Sequence, residues 1–148
     1  MLRIARMTDY ATLMMVELAR DGALPASATR LAETLGLPQP TVAKLLKKLQ
    51  RADLVTSVRG AGGGYRLAHA PRTITFADVR DAVEGPLALT ACAARHGACA
   101  LEAGCTTRGH WRVIGAAIDG ALRSVSLADM MDGAPRPVAM QQRKERQT

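Results

Sequence analysis

The sequence predicts a mainly α fold: a winged helix-turn-helix with a two-stranded β wing and a long C-terminal dimerisation helix. Three observations carry that reading. Apolar residues recur at helical spacing through the first fifty positions. A glycine cluster, GAGGG at 60–64, separates two short β-prone runs directly after the third helical stretch. Further on, Trp111, Ile114, Ile118, Ala121 and Val125 alternate steps of three and four, the seam of a helix that pairs with another. The composition agrees, with 48% hydrophobic and 3% aromatic residues in a 148-residue chain.

The first helix is expected over 8–21, with Thr8 as its cap and Ala11, Met14, Met15 and Leu18 on one face. The LPA stretch breaks it. Ser27 caps a second helix whose inner face is Ala28, Leu31, Ala32 and Leu35. Arg30 stands where a glutamate would complete a capping box. Gly36 ends this helix in a left-handed conformation. Pro40 suits the first turn of the third helix, and Val42, Leu45, Leu46 and Leu49 form its buried stripe. Two helices joined by a tight glycine turn make a helix-turn-helix. The runs Leu54–Arg59 and Tyr65–Ala68 read as the strands of a wing. TFADVRDAVEG reads as a helix opened by Thr75 and closed by Gly85. A cysteine loop follows over roughly 86–107, and a long helix over 108–125. Gly115 and Gly120 weaken that helix by about 1 kcal/mol each, or admit a close partner backbone. SLADMM supplies one more turn, and from Gly133 onward the chain reads as a disordered basic tail. The expected division is 1–85 for DNA binding, 86–107 for the cysteine loop, 108–132 for dimerisation and 133–148 for the tail.

A formal charge of +7 and a pI near 10.0 point to a polyanionic partner, nucleic acid before membrane. No apolar run reaches the roughly 18 residues of a membrane span, and the amino terminus does not read as a signal peptide. A cytoplasmic protein is therefore expected. No nucleophile–base pair, phosphate loop or paired carboxylate set appears, and no G-K-[ST] follows the glycines, so neither an enzyme nor a small-molecule substrate is expected. From 41 to 66, Lys44, Lys47, Lys48, Arg51, Arg59 and Arg66 stand against Asp53 alone. A recognition helix presents its N-terminal residues to base edges and its flanking cations to phosphates. Gln39, Thr41 and Lys44 are the expected readers, with Lys47, Lys48 and Arg51 as clamps. Arg59, Gly62, Gly63, Tyr65 and Arg66 are the wing's expected contacts, glycine letting backbone N–H groups approach phosphate.

All three cysteines, Cys92, Cys99 and Cys105, lie in CAARHGACALEAGC. An odd number in a reducing compartment argues against disulfide staples and for metal, cluster or redox chemistry. Thiolates bind soft metals and iron–sulfur clusters, but three of them need a fourth ligand. His96, His110 and Asp9 are the candidates. A thiol-oxidation switch and inert loop cysteines are the other readings.

These stretches together resemble a known family. TDYAT, LAETLGLPQPTVAKLLKKL, LVTSVRGAGGGYRLA, EGPLALTAC and CTTRGHW match in kind and order the Rrf-type winged-helix transcription regulators, the IscR and NsrR kin. RGAGGGYRLA, ALEAGC and SLADMM are nearest the branch that regulates SUF iron–sulfur assembly. The resemblance spans 1 to about 132. It implies a homodimer on palindrome-like double-stranded DNA, repressing iron–sulfur assembly genes and sensing cluster status, oxidant or nitric oxide. It also implies a 2Fe–2S or 4Fe–4S cluster on Cys92, Cys99 and Cys105. In IscR-like members a histidine three residues after the last cysteine completes the site; Arg108 stands there. Asp9 matches the aspartate that completes it in NsrR-like members. The alternative is a cluster-free regulator switched by thiol oxidation.

Overall fold

The computed structural model describes residues 3–22 and 24–133. The expected basic tail lies outside them from residue 134 onward. Helix α1 (Arg6–Arg20) begins two residues earlier than expected, with Ala5 at its cap and no side-chain capping bond. Thr8 is therefore not the cap. It sits inside the first turn, fully buried, and its hydroxyl donates to the Glu84 carboxylate, a partner 76 residues away that no local pattern announces.

Helix α2 (Ala28–Leu35) is capped by Ser27, whose hydroxyl accepts from the Arg30 N–H, and Gly36 closes it at φ 64°. Arg30 reaches Asp21 instead of the cap, at 3.1 Å. Helix α3 (Gln39–Arg51) carries Pro40 in its first turn, and buries the expected stripe of Val42, Leu45, Leu46 and Leu49. Strands β1 (Val55–Val58) and β2 (Gly64–Leu67) pair antiparallel, Val55 opposite Leu67 and Val58 opposite Gly64. Each is slightly shorter than, or shifted from, the run expected.

The wing is also tied to the start of the helix-turn-helix. Ala26 and Tyr65 exchange two backbone hydrogen bonds of 2.9 and 2.8 Å, adding a one-residue third strand. Gly64 is needed there, because a Cβ would lie 2.5 Å from the Ala26 carbonyl oxygen and its φ is +149°.

Helix α4 (Phe76–Glu84) opens with a full capping box between Thr75 and Asp78, and the short α7 (Leu127–Met131) repeats the device with Ser126 and Asp129. Phe76 N–H to Val125 and Leu127 N–H to Ile74 join these two helix starts. Between them lie α5 (Ala91–Ala94), a 3₁₀ turn at Glu102–Gly104 and the long α6 (Arg108–Arg123). One core holds Met14, Met15, Leu18, Leu31, Leu45, Leu46, Leu49, Val79 and Leu127. Each such side chain contributes about 1.5–3 kcal/mol on burial. Helix α6 contributes no buried residue. Its Trp111, Val113 and Ile114 stay 42%, 71% and 42% exposed.

Candidate functional site

Exposure sorts the cations of α3. Lys44, Lys47 and Arg51 form one exposed stripe at steps of three and four. Lys48 lies seven residues after Thr41, nearly beneath it, and both are half-buried. Its ammonium donates to the Val83 carbonyl at the end of α4, where a cation meets the negative end of that helix. Lys48 is thus a tie between α3 and α4, set apart from the outward stripe. Gln39 is exposed at the first position of α3, and its Nε2 donates to Thr29 Oγ1 at 2.8 Å.

Strand alternation sorts the wing. Arg66 points outward, whereas Tyr65 packs against the core and anchors the wing through its backbone. Arg59 and Gly62 are exposed at the tip. Gly63 is enforced by its turn, since a Cβ would lie 2.2 Å from the Val58 carbonyl oxygen. The structure thus brings Lys44, Lys47, Arg51, Arg59 and Arg66 out to solvent on adjacent elements, and turns Lys48 and Tyr65 inward.

The cysteine loop packs on α6 through α5. Leu87, Leu89, Cys92 and Ala93 face Arg108, Trp111 and Gly115 across an open cleft of about 430 Å³. The three thiols are free and partly exposed. Among the described residues they do not converge with any His, Asp or Glu into a group that could hold a metal ion. The donor set is nonetheless chemically apt for a thiolate-bound iron–sulfur cluster. The Thr107 hydroxyl holds the Cys105 thiol below its ordinary pKa, helped by the Thr107 and Arg108 N–H groups and the Arg108 charge. Thr90 Oγ1 lies 3.2 Å from Cys92 Sγ.

The loop is organised by Glu102, which sequence reasoning missed. Its carboxylate is buried midway between Cys99 and Cys105. It accepts from the Gly97 N–H at 2.6 Å and pairs with Arg108 at 2.8 Å and with His96 Nδ1. The Gly97 N–H is the main reason its carboxyl is held below the usual range, with His96 and Arg108 adding. Arg108, at the position where the resemblance implied a histidine, is thus Glu102's counter-ion. His96 serves the same carboxylate, while His110 is exposed on α6. Asp9 is exposed in the first turn of α1, lining a surface depression with Arg3, Ile4 and Arg6.

A second unforeseen cluster joins α4 to α6. Arg80, 5% exposed, donates to Asp81 and, at 2.8 Å, to Asp119. Arg123 reaches Asp119, Asp81 and Asp78 at 2.7, 2.8 and 3.2 Å. The Arg80 contact holds the Asp119 carboxyl below its usual range against the opposing effect of burial. Arg80 Nη1 finds no acceptor among the described residues.

Among the described residues no helix is long and apolar enough to cross a membrane. Comparison with known proteins supplies the remaining findings. The profile of the Rrf2 family, described as an iron-dependent transcriptional regulator, matches residues 4–133. The chain is 32% identical over 134 residues to Protein rrf2 of Nitratidesulfovibrio vulgaris, covering 90% of this chain and 89% of that one. The fold superposes on IscR of T. potens with a TM-score of 0.70 at 33% identity, over 90% of this chain and 89% of that one. It superposes equally, at 0.70 and 30% identity, on CymR, the global cysteine regulator of B. subtilis, over 91% and 100%.

Proposed function

The chain belongs to the Rrf2 family of transcription regulators, DNA-binding proteins and not enzymes, and from that premise we propose that its cysteine loop sets its affinity for DNA. The reading is of a cytoplasmic homodimer that binds a palindrome-like operator and represses iron–sulfur assembly genes. Helix α6 supplies the dimer seam, since an exposed Trp111, Val113 and Ile114 on one 16-residue helix need cover. Gln39, Thr41 and Lys44 read base edges. Lys47, Arg51, Arg59 and Arg66, with the Gly62 and Gly63 backbone, bind phosphates.

One observation carries the regulatory part. The loop with every thiol packs on α6, α6 is salt-bridged to α4 through Arg80 and Asp119, and α4 accepts Lys48 from α3. A change in the loop therefore bears on the angle of α6, on which the spacing of two recognition helices depends. Half-sites about 34–36 Å apart accept one spacing. Cys92, Cys99 and Cys105 would hold an iron–sulfur cluster, with Asp9 as the fourth donor. Such a cluster, when bound, ties the three thiolates together through bonds that oxidant or nitric oxide breaks. Glu102 holds the loop between the second and third thiols, and Thr107 keeps Cys105 ready to bind.

Anaerobic purification tests this, with a visible spectrum, iron and sulfide counts, and duplex affinity before and after chelation. Brown protein with matched iron and sulfide, and an affinity that changes on chelation but not in Cys92→Ala, is the expected result. A second reading, thiol switching without a cluster, is favoured by the acidic Cys105. Protein that stays colourless after reconstitution, yet changes affinity on mild thiol oxidation, would establish it instead.

A further inference from the structure

The turn between α2 and α3 holds a contact that the cationic stripe does not explain. Gln39 opens α3 and Thr29 lies in the first turn of α2, ten residues earlier. Both side chains are exposed, yet Gln39 Nε2 donates to Thr29 Oγ1 at 2.8 Å. A free glutamine amide on a helix surface samples several rotamers and presents either end outward. This bond removes that freedom. It spends one of the two N–H donors and leaves the other N–H and the carbonyl oxygen available.

One donor and one acceptor side by side match one base edge in the major groove. Adenine offers an N7 acceptor beside an N6 amino donor, whereas guanine offers two acceptors. We infer that Gln39 reads an adenine in each half-site, and that Thr29 is the positioning residue that fixes its amide for the purpose. The inference rests on the DNA-binding reading above and adds to it the base and the residue behind the reader. Thr29 itself needs no contact with the base. The remaining N–H of Gln39 donates to N7, and its Oε1 accepts from N6.

The test is selection from a random duplex pool with the full chain, followed by competition binding on the selected site. At one position per half-site, wild type should prefer A·T over the other three pairs by about 5- to 150-fold, the range for one bidentate contact. Gln39→Ala should erase the preference at that position alone. Thr29→Val, isosteric but without the hydroxyl, should reduce it several-fold while leaving the salt dependence of binding unchanged. Thr29→Ser should restore it. A merely structural Thr29 would instead lower affinity for every sequence alike. Thr29→Val with wild-type base preference would overturn the positioning role. A Gln39-dependent position that selects guanine or a pyrimidine would overturn the adenine assignment. If wild type enriches no sequence but binds duplex in a salt-dependent way, base reading fails while DNA binding stands. If it binds no duplex at all, both fall.

Discussion

Replacing Lys47 and Lys48 one at a time by alanine separates two neighbours that sequence places together. Lys47 is exposed on the stripe with Lys44 and Arg51, and Lys48 is engaged by the Val83 carbonyl. Each phosphate contact adds about 0.9 to the slope of log affinity against log salt. A homodimer that loses two contacts in Lys47→Ala should lose about 1.8 from that slope. Between about 50 and 200 mM salt, wild-type affinity should then fall about 12-fold more than that of the variant. Lys48→Ala should leave the slope within error of wild type. Its loss appears in stability, about 0.3–1 kcal/mol for a cation removed from a helix end, or a few degrees in Tm. Fluorescence anisotropy of a labelled duplex across a salt series, beside thermal melts, reads both quantities. Equal slope losses in the two variants would show that Lys48 leaves α4 to meet DNA, and would refute the sorting of cations by their exposure and partners.

Other expectations concern the fold and the loop. Arg80→Met removes one of the two cations that Asp81 and Asp119 share and leaves Arg123 to pair with both; a loss of about 1–3 kcal/mol is expected in denaturant unfolding. Asp119→Asn should cost less, since Asp81 still pairs with Arg80 and Arg123. Gly64→Ala should cost about 1–3 kcal/mol through backbone strain and the clash with Ala26. Alkylation of Cys105 should show a pH midpoint below that of an ordinary thiol. Thr107→Val should raise it, as followed by mass spectrometry of the iron-free protein. Glu102 has its folded pKa lowered, so its contribution to loop order is present above the ordinary carboxylate range. That contribution should vanish as pH falls through the lowered value, a loss visible as faster amide exchange at Gly97. Unchanged exchange in Glu102→Gln at neutral pH would remove it from that role.

What was legible in the sequence was what repeats locally. The stripe Val42, Leu45, Leu46 and Leu49, the Ser27 cap and the Gly36 stop depend on neighbours within a turn or two, so pattern alone places them. What escaped depends on partners far along the chain. Thr8 looks like a cap until Glu84 arrives beside it. Arg80, inside the polar-looking VRDAV, is buried because Asp119 comes from a helix 39 residues on. Glu102 reads as a solvated loop residue because nothing local shows Arg108 folding back over it. Lys48 was within reach of the sequence. Position 48 lies seven after Thr41, on the side of α3 nearer the buried stripe, and of the three lysines of α3 it alone is half-buried. The fourth donor proposed for the thiols is least legible, because a donor on a second copy of the chain would leave no spacing to read.

The pair of hydrogen bonds between Ala26 and Tyr65 has a consequence for how such a protein can be switched. They clasp the wing to the threshold of α2, so recognition helix and wing form a single stiff jaw. A stiff jaw cannot be tuned by bending one finger against the other. In the proposed homodimer, what would remain adjustable is the gap between two identical jaws, as in a caliper whose setting lies at the hinge. Operators for such a caliper should tolerate changes within a half-site gradually, one base pair at a time, and tolerate insertion of even one base pair between half-sites hardly at all.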